Sequence, residues 1–290
     1  MRIAESELII NEDGSCFHLH LKPNELADNV ILVGDPGRVS MVATYLDDVE
    51  FDRTTREFHS VTGRYNGKRV TVISTGIGTD NCDIVMNELD ALANIDFKTR
   101  EIKAEHRTLN ILRIGTSGAI QPDIPLGSFV FAKMSLGCDG LMNWYADRRK
   151  IAVPRIGAAF KKHVGWNRHL CDPYFVKAGK DMCKRFEDCA IQGITISAQG
   201  FYGPQGRVLR MRLAMPDMIE KFASFGYEGM RLTNFEMESS AIAGIGKMLG
   251  HNCGTICLIL AQRSKKGVNT DIKKQMEKLV KLSLDRLTSC

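Results

Sequence analysis

The sequence contains no apolar run of about 18 residues, the length needed to cross a membrane. Its start, MRIAESELIINEDGSC, carries neither a basic leading segment nor an apolar one, so no secretory signal is expected. These absences lead to the expectation of a soluble cytoplasmic protein with no membrane partner. The nine cysteines, at 16, 82, 138, 171, 183, 189, 253, 257 and 290, form no C-x-x-C pair, and their odd number argues for free thiols in a reducing compartment. Neither a zinc site nor a disulfide framework is expected from them. Charge of one sign is scarce as well: the formal net charge is only +5 and is spread along the chain. That demands no nucleic acid partner and leaves at most a preference for anionic ligands. A length of 290 residues suits one large α/β domain or two small ones and buries a substantial core without covalent staples.

What the chain does have is an arginine inside an apolar strand. Within Asn110 to Ser128, NILRIGTSGAIQPDIPLGS, the residues Ile111, Leu112 and Ile114 read as a strand buried on at least one face, with Arg113 among them. A guanidinium placed there is costly unless an anion meets it. The turn expected at Gly115 to Gly118 offers small residues that admit backbone N–H groups to an anion, and Thr116 and Ser117 add hydroxyls. Two kinds of anion fit this stretch equally: a bound ligand, or an internal carboxylate above a purely structural turn.

Similar strand-to-glycine transitions occur elsewhere. Val30 to Val33 runs into Gly34-Asp35-Pro36-Gly37-Arg38, a helix start with Asp35 as N-cap and Pro36 in the first helical position. Such a helix N-terminus, with Arg38 in its first turn, can hold an anion. Val70 to Thr75 repeats the pattern, ending in Gly76-Ile77-Gly78 ahead of a helix over 79–94. With Asn110 to Gly115 there are three apolar strands ending in glycine turns, which points to an α/β fold with a twisted sheet and a cleft at the strand ends. Further strands are expected at Cys16 to Leu21, Ser128 to Ser135, Ile191 to Ala198 and Cys253 to Ala261, and an amphipathic helix over 271–287. The first of these alternates so that His18 and His20 share one side, facing solvent in the simplest reading. Residues 1–15 read as a polar extension, 97–107 as solvated helix or loop, and 141–171 as a basic, irregular region whose Trp144 and Trp166 suit surface packing as well as ligand contact.

Two more stretches carry chemistry. Gly200-Phe201-Tyr202-Gly203-Pro204-Gln205-Gly206-Arg207 brings an aromatic ring, an amide and a guanidinium close together. That set suits a flat heterocycle, the ring stacking while Gln205 and Arg207 read its polar edges, although a plain Gly-Pro turn with a surface arginine has the same spacing. Thr233-Asn234-Phe235-Glu236-Met237-Glu238-Ser239-Ser240 leads into a small-residue helix, where the two glutamates serve either as favourable first-turn charges or as acceptors for a vicinal diol. The strand Cys253 to Ala261 ends at Gln262-Arg263, another arginine at a strand end.

Assembled, GDPGR (34–38), REF (56–58), STGIG (74–78), LRIGTSGAIQP (112–122), FYGPQGR (201–207) and NFEMESSA (234–241) make the sequence similar to nucleoside phosphorylase family I, most of all to its uridine phosphorylases. The likeness covers about Phe17 to the C-terminus. It implies a single-domain three-layer α/β/α fold with a central twisted mixed sheet over 16–290. It implies phosphate binding by Gly34, Arg38, Arg113 and Thr116, joined by Arg56 of a neighbouring subunit. Ribose would be bound by Thr116, Met237 and Glu238, with His18 crossing the same interface. Phe201, Gln205, Arg207 and Arg263 would surround the base. The implied catalytic set is Arg113, Glu238, Gln205 and Arg207, with inorganic phosphate as co-substrate, no cofactor, and a homodimer as the smallest competent unit; a hexamer is the larger assembly of the family. Some bacterial members hold a monovalent cation with residues matching Glu57, Ile77 and a serine, and here Asn81 replaces the serine. Purine-specific members place an aspartate near the end of the last central strand. Here that place reads Leu260-Ala261-Gln262-Arg263, which favours a pyrimidine. A purine phosphorylase, a hydrolytic nucleosidase of the same fold and a non-catalytic nucleoside-binding protein are the alternatives.

Overall fold

Consecutive branched apolar residues make β1 (Asn29–Val33) a strand buried on both faces, Val30 and Leu32 entering one layer of core and Ile31 and Val33 the other. The computed structural model describes residues 2–264, 267–268 and 271–289. After β1 come α1 (Pro36–Ala43), β2 (Asp47–Thr55), β3 (Phe58–Tyr65), β4 (Lys68–Ser74) and α2 (Thr79–Asn94). A two-stranded ribbon of β5 (Ile95–Asp96) and β6 (Glu101–Ile102) precedes β7 (Asn110–Ala119) and β8 (Phe129–Gly137). The second half holds α3 (Arg148–Ile151), α4 (Pro154–Val164), β9 (Tyr174–Lys177), α5 (Lys180–Phe186), β10 (Ile191–Ser197) and α6 (Met218–Ala223). It ends with β11 (Gly226–Tyr227), β12 (Met230–Glu236), α7 (Ser239–Met248), β13 (Asn252–Gln262), β14 (Gly267–Val268) and α8 (Ile272–Thr288).

Twelve strands form one mixed sheet, ordered β11-β12-β10-β8-β13-β7-β1-β4-β3-β2, with β14 on β13 and β9 on β8. β1 runs parallel to β4 and β7, and β13 parallel to β7. The far end of β7 also pairs antiparallel with β12, Phe235 opposite Gly118, so the sheet closes on itself through β7, β13, β8, β10 and β12. Helices α2 and α7 cover one face through Leu89, Leu92, Ile242 and Ile245. α1, α5 and α8 cover the other through Val39, Phe186, Leu279 and Leu284. This is the expected mixed-sheet α/β domain with helices on both faces.

Four local expectations are corrected. Gly115 to Gly118 is not a turn, because β7 continues to Ala119, stays paired with β13 along its whole length and exchanges its pairing with β1 for pairing with β12. Cys16 to Leu21 is a turn rather than a strand. Cys16, Leu19 and Leu21 are buried while Phe17 is only half-buried; Cys16 N–H donates to Leu21 O, His20 takes φ 52°, and the Glu88 carboxylate accepts the N–H groups of His18 and Leu19. A half-buried carboxylate from 70 residues away in sequence thus sets the backbone, which no local pattern announces. The region 141–171 is not irregular throughout: α4 begins at Pro154 and buries Ile156, Phe160 and Val164, while Trp166 packs on Phe160 and Phe222 and Trp144 is exposed. Glu236 ends a strand instead of opening a helix. The segment 1–15 docks on its own chain, the Arg100 guanidinium donating to the carbonyls of Ile3, Ala4 and Leu8.

Candidate active site

The carboxyl ends of β1, β4, β7, β10, β12 and β13 meet around a cavity of about 760 Å³, the place where parallel sheets present ligand sites. Gly34 and Arg38 enter from the β1–α1 junction, where Asp35 accepts from Gly37 N–H and starts the helix as expected. Arg113 and Thr116 enter from β7, Phe201, Gln205 and Arg207 from the loop after β10, and Met237 and Glu238 from the link between β12 and α7. Residues spread over more than 200 positions of sequence are therefore brought into one cavity.

Arg113 is buried and is met by internal carboxylates. Its guanidinium pairs with Glu238 and lies 3.4 Å from Glu236. Burial disfavours its charge, but the two carboxylates more than offset this and hold it above the ordinary arginine value. Gly115 is required by the same arrangement: a Cβ there would fall 2.8 Å from Arg113 Cζ and 3.0 Å from Cys257 Sγ. The glycine read from sequence as part of an anion nest makes room for a guanidinium. Arg38 donates to Ile114 O and is pushed below its ordinary value by burial and by the charge of Arg113.

Glu238 is anchored by the backbone N–H of Gly78, which sits at φ 102° as the N-cap of α2. Its carboxyl is raised from the ordinary value, first by burial and then by Glu236, against the pull of Arg113. The sequence assigned a role to Glu238 and none to Glu236, whose part is different. It accepts from the Ser197 hydroxyl and from the N–H groups of Glu238 and Ser239, closing the start of α7 and fixing the backbone that carries Glu238. Only the pairing of β10 with β12 brings Ser197 opposite Glu236, so what Glu236 does was not legible in the motif NFEMESS.

At the other end, Arg207 stacks 3.7 Å from the Phe201 ring centroid and donates to Gln205 Oε1 at 2.6 Å. That commits the amide oxygen and leaves the Gln205 NH₂ without a protein partner among the described residues. Burial and the nearby Arg263 push Arg207 down to about 10, which keeps it charged at neutral pH. Arg263 lies behind the loop, donating to Gln205 O at 3.0 Å. Leu260 and Ala261 complete this wall, and Gln262 is turned away to donate to Gln121 O and Ile124 O. Among the described residues, the carboxylates lining the cavity are Asp35, Glu57, Glu236 and Glu238, which belong to the elements around α1, the β2–β3 turn and the β12–α7 link, and none belongs to the loop after β10 or to the end of β13.

His18 and Arg56 do not line the cavity of their own chain. His18 Nδ1 is 2.6 Å from Glu88 Oε1, and Arg56, exposed at the β2–β3 turn with φ 52°, lies over the ring of Phe17. The two share one patch of surface. Glu57 and Asn81 close on Gly76, and both line the cavity with Ile77. One cluster was not anticipated: Asp90, His106 and His251 place ligand atoms within 4.8 Å of one another. His251 Nδ1 accepts from Leu109 N–H, and its Nε2 lies 3.2 Å from Asp90 Oδ1 without a hydrogen bond to it.

Comparison with known proteins agrees with this geometry. A uridine phosphorylase of Thermococcus kodakarensis is 28% identical over 258 residues, covering 87% of this chain and 79% of the relative. A DeoD-type purine nucleoside phosphorylase of Tolumonas auensis is 27% identical, covering 92% of this chain and 96% of the relative. The solved structure of a Trypanosoma brucei nucleoside phosphorylase, described as showing uridine phosphorylase activity, superposes with a TM-score of 0.85 at 30% identity, covering 98% of this chain and all of that one. Residues 28–289 match the family model of the phosphorylase superfamily, so the chain belongs to that superfamily, among its nucleoside phosphorylases.

Proposed function

We propose that this enzyme, a pentosyltransferase by its family, is a uridine phosphorylase that converts uridine and inorganic phosphate reversibly into uracil and ribose 1-phosphate, with 2′-deoxyuridine as a second substrate. The observation that carries the reading is the base end of the cavity: Phe201, Gln205 and Arg207 face Leu260 and Ala261, and among the described residues no carboxylate stands there to protonate a purine ring. Relatives of both pyrimidine and purine type are similar at about the same identity, so the choice rests on this wall rather than on overall likeness.

In this reading a phosphate oxygen, held by Arg38, Arg113, Thr116 and the Gly34 backbone, attacks C1′ while the C1′–N1 bond breaks. The electron pair leaves on uracil. The Gln205 NH₂ and the Arg207 guanidinium stabilise that anion as an oxyanion hole would, and water then protonates it. Glu238 turns from Arg113 to accept from the ribose 2′- and 3′-hydroxyls and balances the positive charge that grows on the sugar, freeing guanidinium N–H groups for phosphate. Positioning the two reactants in one cavity supplies much of the rate. His18 and Arg56 of a second copy complete the site, so the working unit is at least a dimer; their placement together outside their own cavity supports this.

The test is product formation from uridine, deoxyuridine, thymidine and inosine, with and without phosphate. Uridine cleavage that requires phosphate and yields ribose 1-phosphate is expected. Faster turnover of inosine would move the assignment to the purine enzymes, and free ribose formed without phosphate would make the protein a hydrolase.

A further inference from the structure

A second cavity, of about 660 Å³, lies on the far side of the loop after β10. The loop alternates between the two: Phe201 and Gln205 line the catalytic cavity, Tyr202 and Pro204 line the second, and Arg207 touches both. The floor of the second cavity is apolar and built from well-packed residues. Trp166 stacks on Phe222, itself buried, beside Met215 and Met218. Its outer wall is the strap Leu209 to Ala214, in which Leu209 and Met211 are 74% and 83% exposed.

The charge around it has one sign. Arg207, Arg210, Arg212 and His169 line it, and among the described residues no aspartate or glutamate does. Arg210 and Arg212 are exposed and have no carboxylate partner among the described residues, in contrast to Arg231, Arg286 and Arg148, each of which pairs with an aspartate. A cavity of this size with apolar walls and a few convergent cations has the make-up of a small-molecule site.

We propose that this cavity binds a small amphipathic anion, an aryl or medium-chain carboxylate or sulfonate, with its apolar body on Trp166, Met215 and Phe222 and its charged end at Arg210 and Arg212. Because Arg207 lines both cavities, occupancy of one alters affinity at the other, and by linkage the effect is reciprocal. This coupling rests on the role of Arg207 proposed above; the binding does not.

The probe is 1-anilinonaphthalene-8-sulfonate, titrated by fluorescence against the full chain. Saturable binding of one molecule per chain is expected. The exposed double substitution Arg210→Glu/Arg212→Glu should weaken it by about tenfold or more, since two favourable charge pairs become repulsive. Uracil with phosphate at saturation should change the affinity by a finite factor while leaving one site per chain. Wild-type affinity in the double variant overturns the proposal. So does complete competitive displacement by uracil and phosphate, which would put the probe in the catalytic cavity, and so does a lack of saturable binding because a second copy or another protein surface covers the strap. If the probe binds with the expected arginine dependence while uridine is not phosphorolysed, the assignment of function fails and this site stands.

Discussion

Replacing Gly115 by alanine tests whether that glycine exists for the guanidinium of Arg113. The new Cβ would lie 2.8 Å from Cζ, closer than real Cβ atoms approach, and 3.0 Å from Cys257 Sγ, a tight contact. Arg113 is a flexible side chain, but it is buried and held from two sides by Glu238 and Glu236, so it cannot move without breaking the pair. Separating a buried ion pair costs about 3–5 kcal/mol when one partner is lost outright. Since the arginine is displaced rather than removed, a loss of roughly 2–4 kcal/mol is expected, a fall in Tm of about 4–16 °C for a domain of this size. The assay is urea unfolding at neutral pH, repeated in an Arg113→Met background. There the alanine should cost less than about 1 kcal/mol, the remainder being its contact with Cys257. Stability within about 0.5 kcal/mol of wild type in the first experiment, or an equal loss in both backgrounds, refutes the reasoning.

Further outcomes follow from the same cavity. Arg207→Ala is expected to lower uridine turnover by about 10² to 10³, as loss of one oxyanion donor does, with little change in the phosphate concentration required; wild-type turnover would remove Arg207 from the mechanism. Arg113→Ala should raise the KM for phosphate, and an unchanged phosphate dependence would end its proposed role. Glu238→Gln, which keeps the shape but withdraws the charge, should slow uridine more than deoxyuridine if the carboxylate accepts from the 2′-hydroxyl; equal slowing of both would count against that contact. Acid stability is set elsewhere. Asp285 is held below the usual carboxylate range by Tyr65 and Lys281, and Asp172 is held below it by Lys161 and Arg148 in spite of burial. With folded values below unfolded ones, the unfolded chain binds more protons, so stability should be fully present above about pH 4 and fall below it. Unfolding at pH 6, 4 and 3 would show this, and a flat profile would contradict it.

The strands Val30 to Val33, Val70 to Thr75 and Cys253 to Ala261 were legible in sequence because a strand buried on both faces needs an unbroken apolar run, and such runs are rare by chance. Their ends were legible too, since Asp35, Pro36 and the glycines around 76–78 act on neighbouring backbone. The motifs for Arg38, Arg113, Gln205, Arg207 and Glu238 were visible for the same reason: each is a short pattern of residue types. What each motif's atoms face was not visible. The turn at Cys16 to Leu21 is written by Glu88, the straight path of β7 through Gly115 by its pairing with β13 and β12, and the division of labour between Glu236 and Glu238 by Ser197 across the sheet.

The sequence by itself determined the class of fold, the elements that carry the site and the kinds of groups in it, because local sterics and the period of burial act within a few residues. Only the tertiary structure decided which partner neutralises Arg113, which side of the loop 201–207 faces which cavity, and where His18 and Arg56 lie. Those are contacts between segments tens to hundreds of residues apart, and their geometry is set by sheet registry and helix packing, which no local pattern encodes.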